Sequence, residues 1–501
     1  MIKRLEECTA GAKSSWQNPR FTSLCLPITL MLSTMAMGPA GRLPAVAAHP
    51  GAAADRAAVV AYVRSASGAR SAYAGFTLSA HRTAAIPAFA RKYSLACSVC
   101  HTAWPELSAF GQSFKDNGYQ LGNDRDSPIW QSTAYWPVAI RTTPQWRYER
   151  TTHQPVDGVL GDTVERTITQ SGFDISGADL LFLGTLYKNI TFGFVPTVAD
   201  GEGVGIEAAF VRFDNLFNSR WANLKVGKFE LDNLLSEKRI VTLSTNGSFY
   251  QSYHFVPDGD GTDFGLGDNQ IGAELLGHSA NSYTRFSLAV LSSVDGVPGL
   301  PSGRSYDGYL TLSHAFDAGR LGVERVGVYG YLGRRPTAFE TVGGEPVPGT
   351  GTTNKTFYRV GAVGDFFLGK LEFLPLVMRG SDDKAFAGGS RDATWNSALL
   401  ETHYYVSPQL LFTQRSEIIR MSKQSNPATP KTLGNVDAFT FGYRYYPIMY
   451  SRAGLALIGE LSFTKTIGTA PWSGSGAGLA PLAPDTPVRS TSVLMGMDFA
   501  F

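Results

Sequence analysis

The chain has 501 residues, a formal net charge of +2, 17% charged residues, 12% aromatic residues and 54 glycines. Its charge content is below the roughly 25% usual in soluble globular proteins, and its glycine content of about 11% exceeds the average near 7%. A near-neutral chain without a basic stripe is not a nucleic-acid binder, and 43% apolar content excludes a disordered one. No apolar run long enough for a membrane helix follows the N-terminal region, which excludes a helical membrane bundle. A large all-β protein remains, either soluble or a barrel in an outer membrane.

Residues 1–47 read as a secretory signal. Lys3, Arg4 and Arg20 precede the apolar stretch FTSLCLPITLMLSTMAMGPA, and Ala45-Val46-Ala47 offers a small-residue cleavage site. Pro27 and Gly38 interrupt the apolar stretch, which makes it shorter than a membrane anchor. Cleavage would remove Cys8 and Cys25, so the mature chain keeps only Cys97 and Cys100.

Residues 48–134 are expected to form a small α-helical module around Cys97-Ser-Val-Cys100-His101. This is the spacing of c-type haem attachment. Two thiols separated by two residues reach the two vinyl groups of one porphyrin, and the adjacent imidazole becomes the proximal iron ligand. A redox dithiol would want a thioredoxin-like βαβ pattern, which is missing, and half a zinc site would want a second cysteine pair. The expected cofactor is therefore one covalent haem c, anchored by Cys97 and Cys100 with His101 on the iron. His81, twenty residues upstream, is the nearest candidate for the distal position. His49, His153, a barrel methionine and an open iron are alternatives. In the flank WPELSAFGQSFKDNGYQ, Pro105 is expected near a helix start, Leu107, Phe110 and Phe114 on one face with haem as a cover, and Asn117-Gly118 at the end.

From Tyr135 to Phe501 the period becomes two. In DAFTFGYRYY, Phe439, Phe441, Tyr443 and Tyr445 oppose Thr440, Gly442 and Arg444. In RFSLAVL, Phe286, Leu288 and Val290 oppose Arg285, Ser287 and Ala289, and GLALIGELSFT behaves likewise. Sixteen such runs lie near 139–150, 178–187, 190–198, 205–214, 222–231, 268–277, 282–292, 306–315, 322–333, 356–366, 370–379, 395–406, 408–418, 437–446, 453–464 and 490–501. An even strand count, alternating short and long connections, and an end at SVLMGMDFAF favour an outer-membrane barrel over a soluble sandwich. The fold expected is thus all-β: a sixteen-stranded antiparallel barrel in the bacterial outer membrane, both termini periplasmic, with the haem module plugging the lumen. Arg141, Arg285 and Arg444 face that lumen, as contacts for haem propionates or as lining of an ion path. Asp258, Asp260, Asp263 and Asp268 gather in the long loop after the fifth run, either as transient metal ligands or as an ordinary acidic loop.

The stretch IPAFARKYSLACSVCHTAWPELSAFGQSFKDNGYQL resembles the fused monohaem cytochrome–porins, which include the outer-membrane iron-oxidising cytochromes. The likeness rests on Pro87, Phe89-Ala90-Arg91, the haem motif, Pro105, Leu107, Phe110-Gly111, Phe114-Lys115 and Gly118-Tyr119. The resemblance implies an electron conduit, an Fe(II):cytochrome c oxidoreductase that oxidises extracellular Fe(II) and passes electrons to periplasmic c-type cytochromes. The family extends beyond iron oxidisers, so the motif specifies the fusion better than the donor. The alternatives are a different extracellular donor or acceptor, and a solute or ion porin whose haem-bearing plug is structural.

Overall fold

A computed structural model describes Phe89, Tyr93, Leu95, residues 97–121 and residues 138–501, apart from 160–161, 200–202, 244–248, 258–263, 301–304, 337–340, 343–344, 347–353, 386–387, 451–452, 469–471, 474–475, 478–480 and 484. The leader, His49 and His81 lie outside the described residues, as do Asp258, Asp260 and Asp263.

Sixteen strands close into one antiparallel barrel in strict chain order. They are β1 (Val138–Asp157), β2 (Thr163–Tyr187), β3 (Ile190–Ala199), β4 (Gly203–Phe213), β5 (Asn223–Phe229), β6 (Gln270–His278), β7 (Thr284–Ser292), β8 (Tyr306–Asp317), β9 (Val323–Pro336), β10 (Asn354–Leu368), β11 (Leu371–Asp382), β12 (Ala393–Ser407), β13 (Leu410–Lys423), β14 (Val436–Tyr450), β15 (Ala453–Ile467) and β16 (Pro487–Ala500). All sixteen alternating runs of the sequence fall on these strands. Closure joins β16 to β1, with Trp146 opposite Met495 and Arg141 opposite Ala500. The terminal Phe501 completes the seam through two hydrogen bonds with Ile140, at 2.9 and 3.0 Å.

The alternation sorts side chains as a transmembrane barrel requires. On β14 the outward Phe441 is 48% exposed and the inward Thr440 is 1% exposed; on β7 the pair is Val290 at 56% and Ala289 at 0%. Leu310, Leu312, Val326, Val328, Leu461, Phe463, Met495 and Met497 extend the same exposed apolar surface. Much of the inward set is polar or small, as at Ser287, Glu460, Ser462 and Asp498, but one stretch of it, with Leu291, Tyr309 and Tyr331, is apolar. Closing a sheet removes its edges, so no backbone group of the wall is left to an apolar solvent.

The connections alternate too. Those after even-numbered strands are mostly short, two residues in the turn Lys188-Asn189 and five between His278 and Thr284, with a longer one between Phe213 and Asn223, whereas those after β7, β9, β13 and β15 are long. The start of β1 and the end of β16 lie at the short-turn rim. Two findings depart from the sequence reading. First, β2 begins at Thr163 rather than near 178, because TVERTITQSGFDISG is too polar to show one apolar face. That part pairs with the distal half of β1, with Phe173 and Ile175 exposed. Second, the residues after β5 do not stay outside. Leu231, Leu235, Tyr253, Phe264 and Leu266 are buried against Leu291, Tyr309, Tyr331, Phe357 and Leu376 of the wall. This inserted loop carries a 3-10 turn, Glu237–Arg239, and a short helix, Gln251–His254.

Candidate functional site

Residues 97–121 form an arm that packs on the inner wall near the short-turn rim. Its helices are α1 (Cys97–Cys100) and α2 (Ala109–Asp116). Ser108 joins them. Its hydroxyl accepts the Gly111 N–H (3.1 Å) and donates to the Val99 carbonyl (2.9 Å), while its own N–H donates to the Cys100 carbonyl (2.9 Å). One residue thus caps α2 and satisfies carbonyls at the end of α1. The approach is so close that a β-carbon on Gly111 would lie 1.9 Å from the Cys100 oxygen. At the far end the chain reverses at Gly118, with φ +74°, as the Asn117-Gly118 pair suggested.

His101 follows α1 directly. Its Nδ1 lies 3.1 Å from the Pro105 carbonyl and 2.9 Å from that of Glu106. Nδ1–H is therefore the donor, and Nε2 keeps the lone pair that an iron ligand needs. Burial pulls the imidazole down to about 4, against the two carbonyls that raise it and with Arg239 lowering it further, so the ring is neutral at pH 7. Pro105 accordingly does not start the helix, as the sequence suggested; Ser108 does, and Pro105 supplies a carbonyl. Phe114 differs as well. It is covered by protein aromatics, with ring centroids 5.2 Å from Phe89, 5.7 Å from Tyr93 and 6.0 Å from Tyr119. Phe110 remains half-buried. Two cysteine positions on one helical turn, with a neutral imidazole fixed by its Nδ1, fit a covalently attached haem.

The wall grips the arm mainly through charge. Arg285 of β7 donates to both Asp116 oxygens (2.7 and 3.0 Å) and to Asp232 of the inserted loop (2.7 Å). Burial pushes the Asp116 carboxyl up, but the Arg285 guanidinium outweighs it and holds the group below the usual carboxylate range. Asp232 is depressed in the same way. Arg212 of β4 donates to the carbonyls of Lys115 and Asp116 (both 3.1 Å), satisfying the last turn of α2. Burial, with Arg239 nearby, lowers Lys115 to about 8, despite Glu230 and Asp232. Tyr446 donates to the Trp104 carbonyl (2.7 Å). The Arg141 guanidinium lies 5.1 Å from the Trp104 ring centre. Ala103 packs with Val241 of the inserted loop and with Tyr405 and Leu411 of the wall.

The three arginines expected in the lumen are there, and all three pair with protein carboxylates. Arg141 and Arg444 share Asp498, and Arg285 holds Asp116 and Asp232. His153 sits on β1 beside Glu165 (2.9 Å). It is twelve residues from Arg141, roughly 40 Å along the strand and toward the other rim. Of the acidic loop, Asp268 is described, 3.9 Å from His254 Nδ1. Burial raises its carboxyl. A further cluster, Glu106 with Glu372, Glu401 and His403, has no local signature in the sequence.

No family model matches the chain, and no curated protein matches it. Among solved structures, it is similar to OmpT of Vibrio cholerae in its trimer form, at 11% identity and a TM-score of 0.44, covering 72% of this chain and 100% of that one. It is also similar to an anion-selective porin from Comamonas acidovorans, at 14% identity and a TM-score of 0.44, covering 73% and 99%. A third is Pseudomonas putida OprB, at 10% identity and a TM-score of 0.40, covering 72% and 94%. Identities this low carry no residue roles across. The class rests instead on the chain's own architecture: an even-stranded antiparallel barrel with an apolar exterior, a polar interior and alternating short and long connections, the porin-like design of outer-membrane barrels.

Proposed function

We propose that this protein is an electron conduit of the bacterial outer membrane, carrying one c-type haem on Cys97 and Cys100 with His101 as proximal ligand. The reading takes the short-turn rim as periplasmic, which puts both ends of the barrel on that side. Fe(II) is the donor suggested by the resemblance of residues 86–121 to the iron-oxidising cytochrome–porins. A periplasmic c-type cytochrome is the acceptor. The haem would supply a one-electron couple inside a protein wall that lipid cannot cross.

The observation that carries this reading is the anchoring of His101. A neutral imidazole whose Nδ1–H is fixed by two carbonyls, directly after a Cys-x-x-Cys helix, is built to present Nε2 to a metal. The protein's other tasks follow from position. Ser108 and Gly111 keep α1 and α2 in contact, which holds both cysteines and the imidazole on one short segment. Arg285, Arg212 and Tyr446 hold that segment against the wall. The inserted loop packs beside it and takes up lumen space, which disfavours a free solute pore.

Stopped-flow mixing of the purified oxidised protein with Fe(II) tests the donor. A shift of the Soret band to the reduced position is expected, and no reduction would rule out iron. Replacing both cysteines with alanine tests the cofactor: haem staining should disappear while the heat-modifiable barrel band persists.

A further inference from the structure

Register makes Glu372 of β11 and His403 of β12 direct partners, and places Glu401 on the same inward face two residues away. All three are 1% exposed. Glu106 of the arm completes the group. His403 Nδ1 lies 2.9 Å from Glu372 Oε2 and 3.2 Å from Glu106 Oε2. One donor atom from each of these three residues falls within 4.8 Å of the others. Adjacent ligands of an octahedral first-row divalent ion, each at about 2.1 Å, are about 3.0 Å apart.

We propose that Glu106, Glu372 and His403 form a binding site for a first-row divalent metal ion inside the lumen. Three further observations support it. The far side of the imidazole is fixed as metal-binding histidines require: His403 Nε2–H donates to Glu401 Oε1 (2.7 Å), and Glu401 Oε2 accepts from Arg415 (2.7 Å). Nδ1, which hydrogen-bonds to Glu372 Oε2 (2.9 Å), is thereby the nitrogen that would ligate on giving up its proton. Tyr405 orients the Glu372 carboxylate in turn, its hydroxyl donating at 2.5 Å. Next, a cavity of about 110 Å³ adjoins the cluster, with Glu106, Glu401, His403 and Asp365 on its wall. At about 30 Å³ each, a few waters fit there to complete a coordination sphere. The buried Oδ1 atom of Asp365 has no hydrogen-bond partner.

Charge balance is the last point. Glu106, Glu372 and Glu401 converge on one imidazole and Arg415 bonds to Glu401, so three carboxylates share one imidazole and one guanidinium. Arg239 and Arg325 also line the cavity but are engaged by Glu230 and by the Ser282 carbonyl. Buried carboxylates in excess of their cations are costly, and a divalent ion removes that excess. The bound ion would fasten the arm to the wall. It would also lie one residue from the haem position, since the Glu106 carbonyl accepts from His101 while its carboxylate ligates. The site itself stands on geometry whether or not Cys97 and Cys100 carry a haem.

The test is Mn(II) titration of the full-length, chelator-treated protein in detergent, followed by loss of the free-ion electron paramagnetic resonance signal. One tight equivalent is expected in the wild type, and Glu372→Gln and His403→Asn should lose it. Glu401→Gln should keep the site but weaken it about 10- to 100-fold. Should the wall variants fail to give a heat-modifiable band, Glu106→Gln alters only the arm and should weaken binding at least about tenfold. Absence of a tight equivalent in the wild type, or equal binding in these variants, overturns the proposal. Because Mn(II) binding is read without haem reduction, this outcome is separable from that of the Fe(II) experiment.

Discussion

The Arg285 clamp is the contact whose removal has the most predictable effect. Asp116, Asp232 and the Arg285 side chain are each under one-tenth exposed, and three hydrogen bonds of 2.7 to 3.0 Å join them. In Arg285→Met two buried carboxylates lose the one guanidinium that bonds to both. Removing one partner of a buried ion group costs about 3–5 kcal/mol, which at 1.4 kcal/mol per decade is roughly a 150- to 4,000-fold loss in the docking equilibrium of the arm. The wall strands keep their ladders, so the barrel itself survives. Single-channel recording in planar bilayers is the assay: the wild type stays closed, and Arg285→Met flickers open. Trypsin should release a fragment bearing the haem motif faster from the variant. Two further results identify the cause. Without Arg285, burial and the neighbouring Asp232 charge push the Asp116 carboxyl up against the lowering pull of His278, so the defect of the variant should shrink as pH falls and the group takes a proton. The neutral triple variant Asp116→Asn, Asp232→Asn, Arg285→Met should close again, because a hydrogen-bonding uncharged set has no stranded charge. Wild-type conductance and wild-type proteolysis in Arg285→Met would refute the reasoning.

The other predictions address separate parts of the molecule. Gly111→Ala forces a β-carbon into the Cys100 carbonyl, so α1 and α2 must separate at about 1–3 kcal/mol or more; haem-stained protein should fall while the barrel band persists. The wild-type docking has a defined acid limit. Asp116 and Asp232 are both held below their ordinary values in the folded protein, so their stabilisation is complete above the free-carboxylate value of about 3.9 and drains away only as pH falls through the depressed ones. Channels should therefore stay closed from pH 7 to 5 and begin to open only below about pH 3.9; opening between pH 6 and 5 would contradict the assignment. On the outer face, Leu310→Arg at a 53% exposed position of β8 should lower stability by about 2–4 kcal/mol in liposomes. Denaturant unfolding reads this, and an unchanged midpoint would mean that the face does not meet lipid.

How much of this was legible in the sequence depends on the range over which the information acts. The strands were legible because a two-residue period is local: Leu288 and Val290 against Ser287 and Ala289 already declare an apolar outside and a small or polar inside. Where neither face needs to be apolar, as in residues 163–177 of β2, the period fails and the strand is read as loop. The inserted loop was readable in principle. Leu231, Leu234, Leu235, Ile240 and Val241 lie too close together for a segment bathed in water, and they are covered in the structure. The Cys-x-x-Cys-His pattern is five consecutive residues and is read directly from the chain. The carbonyls of Pro105 and Glu106 that fix His101 could be missed, because a turn had to form before they faced the ring.

The docking contacts were illegible for a different reason. Asp116 and Arg285 are 169 residues apart, and Glu106 and His403 are farther still. Nothing in either neighbourhood marks one as the other's partner until the barrel is closed. Yet the fold makes such contacts nearly obligatory. A barrel in lipid presents its apolar face outward, which leaves its interior a polar surface. The inserted loop docks there on an apolar patch of the wall, whereas the arm, whose apolar wall contacts centre on Ala103 and Trp104, is fixed mainly by hydrogen bonds and ion pairs at specific strand positions. Such pairs add less net stability than apolar packing of the same volume, but removing one partner is severely penalised. Placement in the lumen is therefore governed by a few charged residues: Arg212 and Arg285 on one side of the arm, Glu372 and His403 on the other. The same property makes the arm sensitive to pH, to charge-changing substitution and, if the Glu106 cluster binds its ion, to metal.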